Sequence, residues 1–223
     1  PASLLTVLAL IVATFYTGAF AAVSFSDIKD HWAEQDIIKM ADKGVVRGYE
    51  DGTFRPEREV VRVDSLIMAA RLLGVNETSN ATLADTAQST YAGILAGYPI
   101  TYGKREVAYL LSKGVLKQAE LGDYIAAGKH DAALRRYEAA VLFTKILGEE
   151  GTVKSRTAVV LPFVDTLDIP FDAINYVAFM QEKGIIKGFA TGTKVEFRPM
   201  QSVTRAETAS SRRGLLPRSS RLL

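Results

Sequence analysis

Cysteine is missing altogether from the 223 residues, histidine occurs only twice and tryptophan once. The first absence excludes disulfides, thiolate zinc sites and cysteine nucleophiles together. Neither His31 nor His130 belongs to an H-x-H or H-x-x-x-H pair, so no metal centre and no cofactor is expected. Charge of one sign is also lacking. The formal net charge of +2 is spread over both signs without a basic block or aromatic-basic interleaving, which argues against a nucleic-acid partner. The acids follow a repeat rather than a separate paired motif, so no catalytic residue is named and no enzyme is expected. What is present is apolar mass: 48% hydrophobic residues suffice to bury a real core.

One long apolar run stands out. Leu4 to Val23 carries no charge and ends in Ala19-Phe20-Ala21, a small-x-small pattern of the kind signal peptidase cuts. Residues 1–22 are therefore read as a signal peptide. The competing reading is an uncleaved anchor, since ~20 apolar residues also span a bilayer. Membrane contact is expected only through that segment.

The remainder is organised by repetition. Lys43-Gly44-Val45-Val46-Arg47, Lys113-Gly114-Val115-Leu116-Lys117 and Lys183-Gly184-Ile185-Ile186-Lys187 recur at one spacing, and such self-similarity points to a repeat architecture. Before each glycine lies a helical pattern with apolar residues on one face: Ile37 and Met40, Val107 and Leu110, Val177 and Met180. The glycine falls where a helix stops in a left-handed conformation, with lysine in the last turn favoured by the dipole.

After the glycine comes a loop. The first copy reads Asp51-Gly52-Thr53-Phe54-Arg55-Pro56 and the third Thr191-Gly192-Thr193 followed by Phe197-Arg198-Pro199. A second helix then opens with an arginine in its first turn, at Arg62, Arg136 and Arg205. Thr204-x-x-Glu207 predicts a capping box. Each copy is helix, loop, helix.

Phe25-Ser26-Asp27-Ile28, His31-Trp32-Ala33, Gly44 to Tyr49, Asp51 to Pro56 and the arginine helix start resemble an S-layer homology repeat from end to end. The third copy, from Phe163-Val164-Asp165 to Glu207, resembles another without the His-Trp pair. The middle copy diverges: it has Leu83-Ala84-Asp85 and Leu134 to Glu138 but no Asp-Gly-Thr-Phe-x-Pro loop. The resemblance implies an all-α spindle of three helix-loop-helix repeats with pseudo-threefold symmetry. The second helices would form a central bundle, with ligand grooves between neighbouring copies. The expected divisions are repeats over 24–75, 76–150 and 160–211. Past Glu207 the polar Thr208 to Gly214 predict a truncated last helix, and 212–223 an irregular tail.

The implied function is non-covalent anchoring to a cell-wall polysaccharide, a secondary wall polymer carrying pyruvylated sugars, by a protein exported to the bacterial surface. The alternative is a self-associating S-layer or outer-membrane-associated subunit. Arg62, Arg136 and Arg205 are the leading site candidates, because a cation in a helix's first turn opposes the dipole and calls for an anion. Two partners fit: an acid two residues on or in a neighbouring copy, or a ligand carboxylate held by the guanidinium fork. Trp32 reads either as a core plug or as a plate for a sugar face. Asp51 and Gly52 read as a turn or as a groove contact.

Overall fold

The computed structural model of the protein describes residues 23–210; the leader expected over 1–22 and the tail expected over 212–223 lie outside them. The described residues are mostly helical. The helices are α1 Glu34–Asp42, α2 Arg62–Leu72, α3 Thr78–Ala96, α4 Lys104–Ser112, α5 Leu121–Ile125, α6 Arg136–Ile146, α7 Glu150–Lys154, α8 Ile174–Glu182 and α9 Arg205–Ser210. The short strands β1 Phe189–Thr191 and β2 Lys194–Glu196 form an antiparallel hairpin with Ala190 opposite Val195.

Helices α1, α4 and α8 are the first helices of the three copies, and their C-terminal signal is obeyed each time. Gly44, Gly114 and Gly184 adopt φ of 68°, 70° and 67°, the left-handed region where a Cβ is unfavourable. Val45, Val115 and Ile185 each return an N–H to the carbonyl of Met40, Leu110 or Met180, the six-to-one bond of a Schellman ending. All six apolar residues expected on the inner faces of these helices are buried.

Helices α2 and α6 differ in kind: they are buried on nearly every side, through Val63, Leu66, Ile67, Ala69 and Ala70 and through Ala139, Ala140, Leu142 and Phe143. A helix apolar all round belongs inside a core. The first helix of each copy packs against the second helix of the preceding one, α4 on α2, α8 on α6 and α1 on α9. The arrangement therefore closes on itself.

Backbone hydrogen bonds make the closure explicit. Val60 N–H donates to Val203, Val203 to Leu134 and Leu134 to Val60, at 3.0, 2.9 and 2.8 Å. One step along, Arg62 donates to Ala132, Arg136 to Gln201 and Arg205 to Arg58. Another step along, Val63 donates to His130, Tyr137 to Pro199 and Ala206 to Pro56. Three successive rungs thus run around a pseudo-threefold axis through the entrances of α2, α6 and α9. They give partners to the first N–H groups of each helix, which have none within the helix itself.

The last helix, expected to be truncated, is described as α9 from Arg205 to Ser210 and buries Ala206, Thr208 and Ala209; its further extent lies outside the described residues. One sequence expectation needs correction: Leu83-Ala84-Asp85 does not match Phe25-Ser26-Asp27. Asp85 lies inside the 19-residue helix α3, an additional element packed on α4, and takes Nε of Arg105 at 2.8 Å.

Candidate functional site

The first and third loops share a clamp that sequence reading did not single out. Asp27 accepts the N–H groups of Phe54 and Arg55, both at 2.7 Å. Asp165 accepts those of Phe197 and Arg198 at 2.8 and 2.7 Å. Presenting two successive N–H groups to one carboxylate puts Arg55 and Arg198 at φ 57°, and charge-assisted bonds offset that strain. The arginines then lie over aromatic rings, Arg55 at 4.0 Å from the Tyr49 centroid and Arg198 at 4.6 Å from that of Phe189. The signal was present as Phe-Ser-Asp and Phe-Val-Asp, but the clamp spans 27 or more residues.

The three arginine helix starts all occur as expected, each at the first helical position. The capping box forms too: Glu207 N–H donates to Thr204 Oγ1 at 3.2 Å and Thr204 N–H to Glu207 at 3.0 Å. Each arginine reaches into the next copy. Arg205 donates Nε to the Phe54 carbonyl at 2.9 Å and Nη2 to that of Arg47 at 2.7 Å. Arg136 does the same to Phe197 and Lys187, at 2.9 and 3.0 Å, and Nη1 meets Glu207 at 3.3 Å. Burial lowers the pKa of both groups, while Glu207 opposes the shift at Arg136.

Arg62 departs from this pattern. Its next copy is the middle one, which lacks the Asp-Gly-Thr-Phe-x-Pro loop, so the two carbonyls are not there. Its one side-chain hydrogen bond runs from Nη2 to Glu138 at 2.6 Å. Instead of packing under a loop, Arg62 lines a cavity of about 1040 Å³ between the middle copy and the segment entering the third. Tyr124, Tyr137, Tyr176 and Phe171 contribute aromatic surface there, and Lys129, Arg135 and Lys154 contribute cations. Burial, then the Glu120 carboxylate, holds the Tyr124 hydroxyl protonated by pushing its pKa up. Lys145 is pinned beneath by Glu120 and Glu150. No motif announced these residues; the one hint was a missing loop.

Trp32 is not a core plug. It is 65% exposed, beside the His31 ring at 5.4 Å. His31 Nδ1 accepts Ala33 N–H at 3.1 Å, leaving Nε2 to donate to Glu57 at 2.9 Å, so the histidine is occupied at the entrance of α1. Asp51 spends its carboxylate on its own turn, accepting from Thr53 N–H, Thr53 Oγ1 and Arg55. The Thr53 and Arg55 bonds hold its pKa down to about 2. Gly52 is exposed with φ 78°. The six candidates are thus spread over several surfaces rather than gathered at one point. Among the described residues no cluster of three or more His, Asp or Glu is placed to hold a metal, and no helix is long and apolar enough to cross a membrane.

The family model of the S-layer homology domain matches residues 24–62 and 163–209, the two segments that carry the clamp and the arginine. These are S-layer homology repeats. Similar stretches occur in an amylopullulanase of Thermoanaerobacterium thermosulfurigenes, 30% identical over 88% of this chain and 10% of the relative. Another occurs in the S-layer protein sap of Bacillus anthracis, 25% identical over 86% of this chain and 21% of the relative. A cellulosome-anchoring protein of Acetivibrio thermocellus is 28% identical over 74% of this chain and 34% of its own. The chain thus spans a tenth to a third of the length of these relatives.

Proposed function

We propose that this chain anchors a surface protein non-covalently to the bacterial cell wall by binding a secondary wall polymer, with pyruvylated sugars as the recognised units. One observation carries the reading: a stretch of about the same size is shared by an enzyme, an S-layer protein and an anchoring protein. A unit common to proteins with different tasks serves what they have in common, attachment, and it works at the cell surface. In this reading the middle copy, which takes its place in every rung of the backbone ring, is a diverged S-layer homology repeat. The seams between copies supply the contacts, with Arg62, Arg136 and Arg205 as carboxylate partners, Trp32 as a stacking plate and Asp51-Gly52 as a loop contact.

The chain is read as a binder rather than a catalyst, since the named activity of the amylopullulanase belongs to a protein of which this stretch matches one tenth. Pull-down with purified sacculi, before and after removal of the non-peptidoglycan polymer, tests the proposal. Binding to the first preparation and loss of binding to the second is the expected result; equal binding to both, or to neither, overturns it. Self-association is favoured by one observation, the near-complete exposure of Leu167 at 99% and Phe171 at 92%, and ordered assembly without any glycan would select it.

A further inference from the structure

One contact between copies is poorly matched. Arg135, the exposed residue that precedes α6, donates from Nη1 to the Sδ of Met200 in the third copy at 3.2 Å, its one side-chain hydrogen bond among the described residues. A thioether is a weak acceptor, so a full cation is spent on little. The chain has four methionines. Met40, Met68 and Met180 are buried, at 1%, 6% and 0% exposure, whereas Met200 is 49% exposed.

Met200 stands where the ring is assembled. It lies in the turn from Arg198 to Gln201, closed by the Gln201 N–H on the Arg198 carbonyl at 3.1 Å and built on the Asp165 clamp. The carbonyls on either side of it, those of Pro199 and Gln201, accept the N–H groups of Tyr137 and Arg136 at the entrance of α6, and Ser202 is paired with Arg135 itself. The corresponding turn of the first copy, from Arg55 to Arg58, has Glu57 in that place, and its carboxylate takes His31 Nε2 at 2.9 Å. The first copy thus has an oxygen acceptor where the third has sulfur. One chemical step removes the difference: oxidation of the thioether to a sulfoxide, which turns an apolar side chain into a polar one with an acceptor oxygen.

We infer that Met200 is an oxidation site whose product is captured by Arg135, so that peroxide tightens the seam between the second and third copies. A lone pair of Sδ attacks one oxygen of hydrogen peroxide. The S–O bond forms as the O–O bond breaks, and the departing hydroxide carries off the proton of the transferred oxygen as water; sulfur loses two electrons and the peroxide gains them. The sulfoxide oxygen then takes an Arg135 N–H in a charge-assisted bond. The turn, with the two carbonyls that cap α6, is thereby pinned to the second copy. Methionine oxidation ordinarily disrupts cores. Its sign is reversed here, because the side chain starts outside the core and beside a cation.

The test is mild hydrogen peroxide treatment of the full chain, followed by peptide mass mapping and thermal melts at low salt. Met200 should gain one oxygen about ten-fold or more ahead of the three buried methionines, since susceptibility follows exposure. The singly oxidised protein should melt about 1–3 °C higher than the untreated one, the shift expected of one exposed charge-assisted bond in a domain of this size. Arg135→Ala should oxidise at Met200 as readily and show no rise, whereas Arg135→Lys should keep part of it. Met200→Gln, which supplies an amide oxygen without any oxidant, should melt higher than Met200→Leu in the parent but not in the Arg135→Ala background. Oxidation of a buried methionine ahead of Met200 overturns the inference. So does a melting temperature left unchanged or lowered by oxidation of Met200, or a rise that survives Arg135→Ala.

Discussion

The first and third loops stand against the middle one. In the outer copies an aspartate grips two backbone N–H groups, the loop folds over, and its carbonyls receive the arginine of the preceding copy. In the middle copy Asp85 is drawn into α3, and a 3-10 turn at 118–120 with α5 replaces the folded loop. The backbone ring still closes through Leu134 and Ala132. Closure and loop geometry are therefore separable: main-chain rungs hold the threefold, whereas the loops decide what each arginine meets.

The largest expected effect that sharpens this contrast is at Arg136. Arg136→Ala removes the donor from the carbonyls of Phe197 and Lys187 and one of the partners of Glu207, and a loss of about 3–5 kcal/mol is expected, measured by chemical denaturation. Arg62→Ala leaves Glu138 with other donors and access to the cavity, so about 1–2 kcal/mol is expected. Equal losses at the two positions would erase the distinction between a seam with a folded loop and one without.

Next come the clamps. Asp27→Asn and Asp165→Asn each weaken two charge-assisted bonds and should cost about 1.5–3 kcal/mol, while Asp85→Asn at its surface pair should cost about 0–1 kcal/mol. Thermal melts of the three variants check the order. A glycine comparison is smaller still: Gly184→Ala imposes a Cβ at φ 67° and should cost about 1 kcal/mol, read in the same melts.

The smallest effect is with pH. The Asp51 carboxyl is held down to about 2 from an ordinary 3.8 by its bonds to Thr53 and Arg55. A depressed carboxylate contributes stability that is complete above its unfolded value and lost as pH falls through the folded one. Protection of the Thr53 amide against exchange, taken relative to its intrinsic rate at each pH, should therefore be full above about pH 4 and fall toward pH 2. The third loop, with Thr191 in place of Asp51, should show no matching change from this residue.

Much of the architecture was legible because it is written in local patterns. Apolar spacing marked the inner faces of α1, α4 and α8, glycine marked their ends, and Thr204-x-x-Glu207 marked the start of α9, since such signals act within one or two helical turns. The burial of Thr208 and Ala209 was not legible, because threonine and alanine are admitted where helices approach closely, a property of the axis and not of the segment. Trp32 misled in the other direction: a large ring suggests burial, but nothing in its neighbourhood of sequence says which way the entrance of α1 faces.

What the sequence by itself determined about this protein is its set of parts: three arginine-headed helices, three glycine-stopped ones, two intact loops and a defective one. Only the tertiary structure decided what those parts do to each other. The partners of Arg62, Arg136 and Arg205 lie 76, 61 and 151 residues away, a range at which no local preference operates. The three identical starts become unequal because closing the ring sets one of them against a loop that is not there, and a charged group takes its role from the groups it is buried beside.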